Sequence, residues 1–148
     1  MTATFLLIEG INPEPWTAPE LSVGRRAGKP FPIKDSIKLL IEKQFSDLPQ
    51  KYRSDLPPFK EFYHAVPTDD CPNGTRGRIG VFEILRMNKD IEQVVLKEPV
   101  EEKVYAAARA SGMLTMREDA IVKALAGEIP FEEVNALGGE LFPGGDIA

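Results

Sequence analysis

The chain has 148 residues, of which 43% are apolar and 28% charged, with a formal net charge of -5. That length suits one domain, or one domain with a loosely packed extension, and the apolar share is enough for a core. A single cysteine and a single histidine exclude a disulfide framework and a four-ligand structural zinc site, and the acidic balance argues against general nucleic-acid binding.

The opening MTATFLLIEG has no basic n-region, and its apolar run is too short for a signal peptide or a membrane span, so a cytoplasmic protein is the expectation. Within it, residues 4–9 read as a short strand. Pro13, Pro15 and Pro19 follow in NPEPWTAPE, where fixed φ angles and missing N–H donors predict an irregular arm over residues 1–33, which also includes Pro30 and Pro32. Trp16 reads as a staple for that arm or as a peptide-binding aromatic. Residues 34–63 form a linker region with one helix in KDSIKLLIEKQF. Ile37, Leu40, Ile41 and Phe45 share a stripe, Asp35 or Ser36 is placed to cap it, and Pro49 closes it. LPPFKEFYH reads as a turn followed by a short helix or strand.

From about residue 64 the pattern is more regular. RIGVFEIL, with Val81, Phe82, Ile84 and Leu85, favours a strand. Asn88 suits an N-cap for a short helix that buries Ile91, Val94 and Val95. Pro99 opens the next helix, with Val100, Val104, Ala107 and Ala108 on one side and Gly112 as its C′ residue. Thr115 and Glu118 make a capping box for a helix that buries Ala120, Ile121, Ala124 and Leu125 and ends at Gly127. A last turn starts at Pro130 and points Phe131, Val134 and Leu137 inward. Residues 138–148 read as a flexible tail. The fold class expected is α+β and mostly helical: a small C-terminal helical module after one or two short strands, behind a proline-rich arm.

The chemistry in the chain is sparse. CPNGTRGRIG resembles a phosphate loop only in its glycines, because no Lys-Ser/Thr pair follows them, and in GRRAGKPF Pro30 stands where a magnesium-binding hydroxyl belongs. Gly74, Gly77 and Gly80 read as a tight turn entering a strand. Arg76 and Arg78 suit a solvated turn or ion pairs to Asp69 and Asp70, and with Arg25 and Arg26 they make too small a basic patch for nucleic acid. His64, Cys71 and Ser111 lack the partners that nucleophilic catalysis needs. No catalytic residue, cofactor site or metal site is assigned.

CPNGTRGRIGVFEILRMNKDIEQVV, followed by AAARASGMLTMREDAIVKALAGEIPFEEV, resembles the C-terminal domain of the ATPases of type II secretion and type IV pilus assembly, the GspE/PilB family. Cys71, Gly77, Arg78, Gly80, Phe82 and Glu83 sit where the family's turn and strand residues belong. Gly112, Met113, Thr115, Met116, Arg117, Asp119, Gly127, Glu132, Glu133 and Val134 continue the series. The resemblance covers residues 64–137. It implies a domain that packs against a nucleotide-binding core in a hexameric ring, with Arg76, Arg78, Glu83 and Arg117 as interface residues. It also implies a secretion or pilus motor ATPase, or another assembly protein, as the partner, and a location peripheral to an inner-membrane assembly. ATP and Mg belong only to the full-length family.

Relatives hold zinc with two Cys-x-x-Cys pairs. Here Cys71 is a lone remnant, Thr68 replaces its partner, and Ala27 and Pro30 lie near the first pair's positions, so zinc is not expected. Ile129 replaces the capping Thr of the last helix, at a cost of about 1 kcal/mol. The function expected is a non-catalytic C-terminal module that mediates packing or protein–protein contacts in the motor. The alternative is a fragment of a complete ATP-hydrolysing motor whose nucleotide-binding core lies outside this chain.

Overall fold

The computed structural model describes residues 28–69, 71–75 and 78–137. The strand read at residues 4–9, Trp16, Arg76 and the tail at 138–148 lie outside them. The described elements confirm an α+β, mostly helical fold. Two strands, β1 (Gly28–Pro32) and β2 (Glu61–Ala65), form an antiparallel hairpin sheet in which Phe31 sits opposite Phe62. Between them lie α1 (Asp35–Gln44) and the single turn α2 (Gln50–Arg53). Four helices follow: α3 (Lys89–Lys97), α4 (Glu101–Ala110), α5 (Met116–Leu125) and α6 (Phe131–Ala136).

The core sits where the sheet meets α1, α5 and α6. Phe31, Ile41, Phe45, Leu48, Phe62, Ile121, Phe131 and Val134 are all buried there. Phe62 and Phe131 pack with ring centroids 4.5 Å apart, and Phe31 meets Phe131 edge-on at 6.1 Å. Aromatic pairs of this kind add to the burial of their area. His64 stacks on Phe31 at 3.9 Å, and its Nδ1 lies 2.5 Å from Glu132 of α6, which fastens the sheet to the last helix.

Several expectations are met locally. Asn88 caps α3 by accepting from the Ile91 N–H at 2.9 Å. At α5 the capping box is complete: Thr115 Oγ1 accepts from the Glu118 N–H, and Glu118 Oε2 accepts from the Thr115 N–H. Helix α4 ends in a Schellman motif, with the Gly112 N–H bonded to the Arg109 carbonyl and the Met113 N–H to the Ala108 carbonyl. Gly112 has φ +87°, and a Cβ there would stand 2.7 Å from the Tyr52 ring, so both backbone and space demand glycine.

Other expectations are corrected. Residues 28–32 form a strand despite Pro30 and Pro32. Each strand of a two-stranded sheet is an edge, where proline is tolerated. Neither Asp35 nor Ser36 caps α1. The helix already begins at Asp35, leaving Lys34 at the N-cap without a side-chain hydrogen bond, and Asp35 contributes only its charge in the first turn. Leu40 is 43% exposed, because the four-residue spacing of Ile37, Ile41 and Phe45 already defines the buried stripe. Val95 and Val100 are exposed rather than inward. Pro130, not Ile129, is the N-cap of α6, so Ile129 packs against the core, and no side chain caps the helix.

The largest difference concerns residues 78–88. They form no strand, because no described strand lies beside them.

Candidate interface and buried ion-pair network

The segment after the glycine turn lies along α5, held by side chains. Lys123 Nζ donates to the Gly80 carbonyl at 2.8 Å, the Phe82 N–H donates to Asp119 Oδ2 at 2.9 Å, and Glu83 Oε2 accepts the Met116 N–H at 3.2 Å. Asp119 and Lys123 are themselves paired at 2.5 Å, one helical turn apart. No turn or bend interrupts residues 78–88. Val81 and Leu85 are half-buried, and Val81 packs on the core. Phe82, Ile84 and Met87 are exposed. A groove of about 350 Å³ runs between Phe82, Ile84 and Arg86 on one side and Tyr52 with the α4–α5 turn on the other.

Of the proposed interface residues, Arg78 is exposed, Glu83 stabilises the start of α5, and Arg117 is half-buried and donates to the Leu137 carbonyl beyond α6. Glu83 and Arg117 thus act within the module's own frame around α5. Arg78 precedes Glu83 on the extended segment, and Arg117 lies on α5. Cys71 sits in a tight turn: its N–H and carbonyl pair with Thr68, and its Sγ donates to the Thr75 carbonyl at 3.2 Å. Among the described residues no group of acidic, His or Cys side chains is arranged to hold a metal ion. None of the described helices is long and apolar enough to cross a membrane.

Sequence reading missed the most buried polar cluster. Arg109 is 3% exposed and Glu118 0%. Arg109 Nη1 and Nη2 donate to the two oxygens of Glu118 at 2.6 and 2.5 Å, while Nε and Nη2 donate to Asp47 Oδ1 at 2.8 and 2.7 Å. Nη1 also reaches the Met113 carbonyl at 2.7 Å. All five guanidinium N–H donors have acceptors, which is the condition for burying the charge. Burial pushes the Arg109 pKa down, but hydrogen bonds and charge from Glu118 and then Asp47 outweigh it and hold the group more firmly protonated. Burial likewise pushes Asp47 up, and Arg109 reverses the shift, leaving Asp47 below its ordinary 3.8. The Tyr105 hydroxyl donates to Asp47 Oδ2 at 3.2 Å.

One cation thus joins the loop after α1, the C-terminal end of α4, the Gly112 turn and the start of α5. The visible signal was Glu118 in the capping box. Its second role depends on Arg109, nine positions away, and on Asp47, 62 positions from Arg109, and no local pattern carries that.

The described residues define a small α+β helical module, closed by a buried ion-pair network and bearing an apolar extended segment without a sheet. The family described as "Type II/IV secretion system protein" matches residues 25–136, and the chain belongs to that family. The correspondence is to the C-terminal region of the GspE/PilB ATPases. The chain is 29% identical over 75 residues to the type IV pilus assembly ATPase PilB of Pseudomonas aeruginosa, covering 51% of this chain and 13% of that protein. It is 39% identical over 72 residues to the type II secretion system protein E of Xanthomonas campestris pv. campestris, covering 49% and 13%. With a PilB of Acinetobacter baylyi it shares 25% over 111 residues, 74% of this chain and 18% of that one. The matches therefore span less than a fifth of these relatives' length. No solved structure matches.

Proposed function

We propose that this chain is a non-catalytic C-terminal module of a type IV pilus assembly or type II secretion ATPase, one that mediates protein–protein contacts in the motor while ATP hydrolysis is supplied by another polypeptide segment. The observation that carries the reading is the family match across residues 25–136, combined with a module that closes its own core through Phe62, Phe131 and the Arg109 network. Arg76, Arg78, Glu83 and Arg117 are its contact residues toward the motor, and the cytoplasmic side of an inner-membrane assembly is its place. Co-purification of the tagged chain from its own cells tests this. A pilus or secretion motor ATPase should come down with it, and phosphate release by the purified chain should stay at background. Turnover by the purified chain that a substitution within it abolishes sinks the proposal.

A second reading, a piece of a complete motor subunit, draws on the small share of the relatives that the chain covers, 13% for two of them. A reading frame directly upstream that encodes a phosphate-binding loop and is translated with this chain would favour it.

A further inference from the structure

The resemblance to the secretion ATPases implies a zinc ion shared between residues 27–30 and residues 68–71. The residues present do not fit one. A structural zinc takes four Cys or His ligands, and this chain has one cysteine and one histidine in all. Pro30 and Thr68 offer no thiolate. Cys71 Sγ donates to the Thr75 carbonyl at 3.2 Å, and among the described residues no three acidic, His or Cys side chains gather around a common point.

We infer that the closure expected of a metal is made here by a metal-free clasp of two parts: a self-bonded loop over residues 66–75, and the His64 ring held by Phe31 and Glu132. In the loop, Thr68 Oγ1 accepts the Cys71 N–H at 3.1 Å, and the two residues also exchange both backbone hydrogen bonds at 3.0 Å. A hydroxyl that accepts from an N–H three positions on stabilises a turn locally. The Cys71 carbonyl accepts a second N–H, from Gly74, at 2.9 Å. Gly74 has φ +70°, and a Cβ there would stand 2.8 Å from the Val66 backbone, so the loop returns onto its own start. These bonds all lie within the loop and fix its turn without an ion.

The second part ties down the other segment. β1 pairs with β2 from Gly28 opposite Ala65 to Pro32 opposite Glu61, so residues 28–30 lie beside the strand that leads into the loop. At that end of the ladder the His64 ring stacks on Phe31, with centroids 3.9 Å apart and planes 16° apart, while Nδ1 lies 2.5 Å from Glu132 Oε1. β1, β2 and α6 thus meet at one ring. The His64 and Glu132 side chains are 32% and 49% exposed, so solvent weakens their polar contact. Phe31 is 8% exposed, and the stack on it contributes the larger share.

The full chain, purified from zinc-supplemented cells, should carry far less than one zinc per chain, and excess EDTA should leave its thermal midpoint within about 2 °C. Cys71→Ser keeps a donor for the Thr75 carbonyl and should also stay within about 2 °C, whereas a metal ligand would not tolerate the change. His64→Ala should lower the midpoint by about 3–8 °C and speed amide exchange in the β1–β2 hairpin. His64→Phe, which keeps the stack and loses the bond to Glu132, should recover most of that loss. Gly74→Ala should also lower the midpoint by about 3–8 °C, because neither its φ nor the Val66 backbone can yield cheaply. Zinc near one per chain overturns the inference. So does a midpoint that falls on chelation, a Cys71→Ser variant as damaged as His64→Ala, or a His64→Ala variant with an unchanged midpoint. None of these readouts depends on a motor ATPase, so this inference and the proposed function fail separately.

Discussion

Arg109→Met is expected to lower the unfolding free energy by about 3–5 kcal/mol, read as a shift of the urea midpoint at unchanged slope. The substitution keeps volume but leaves Glu118, 0% exposed, without its cation. Domains of this size hold only about 5–15 kcal/mol in total, so the variant would be marginal. The diagnostic result is a reversal of sign. Glu118→Gln in the unmodified chain should destabilise, because it removes one partner of a buried pair. In the Arg109→Met background it should stabilise, because it removes the stranded charge while an amide oxygen can still cap the Thr115 N–H. If both substitutions act additively, the network is not the latch that the distances indicate.

The same network sets an acid limit. Asp47 is held below its ordinary 3.8 in the folded chain: burial raises it, and the hydrogen bond and charge of Arg109 more than compensate. A depressed folded value means that the contribution is complete above the unfolded value and is lost as pH falls through the folded one. Stability should therefore decline below pH 3.8, and Asp47→Asn should flatten that part of the profile. The side chain is 47% exposed, so solvent screening keeps this contribution smaller than that of the Arg109–Glu118 pair.

Phe131→Ala is the second large effect, with an expected loss of about 3–5 kcal/mol. Phe131 is fully buried at the first turn of α6 and touches both Phe31 and Phe62, so truncation opens a cavity where sheet and helix meet. Helix α6 has six residues and no side-chain cap, which makes it too short to persist without that anchor. Phe131→Leu should cost much less, because most of the volume stays. Hydrogen exchange should separate the two variants: the alanine variant should lose protection in α6 first, and the leucine variant should keep it. Equal protection in both would mean that α6 is held by Val134 and its flanks alone.

The reach of local pattern is visible in particular residues. Asn88, Thr115, Glu118, Gly112 and Gly127 were readable because caps and left-handed turns are decided within a few positions of backbone. Ile37, Ile41 and Phe45 were readable because a helix stripe repeats every three to four residues. The start of α1 was misplaced by one residue, since Asp35 serves equally well as a cap or as a first-turn charge. β1 was hidden by Pro30 and Pro32, whose propensity yields to pairing with β2 some thirty positions away. The extended residues 80–87 carried a true strand pattern, but a ladder also requires a neighbour.

By itself the sequence determined the four C-terminal helices, the caps at Asn88 and Thr115, the turns at Gly112 and Gly127, the helical stripe of α1 and the resemblance to the secretion and pilus ATPases, because each is written in short-range order or in an ordered series of residues. Tertiary structure alone decided that Arg109 gathers Asp47 and Glu118 into a fully bonded cluster, that Phe31 and Phe62 meet Phe131, and that residues 78–88 pair with no strand among the described residues. Those outcomes follow from burial and from which distant groups arrive together. The energy of a buried charge or of an unpaired amide depends on its surroundings, and these exist only once the chain has folded.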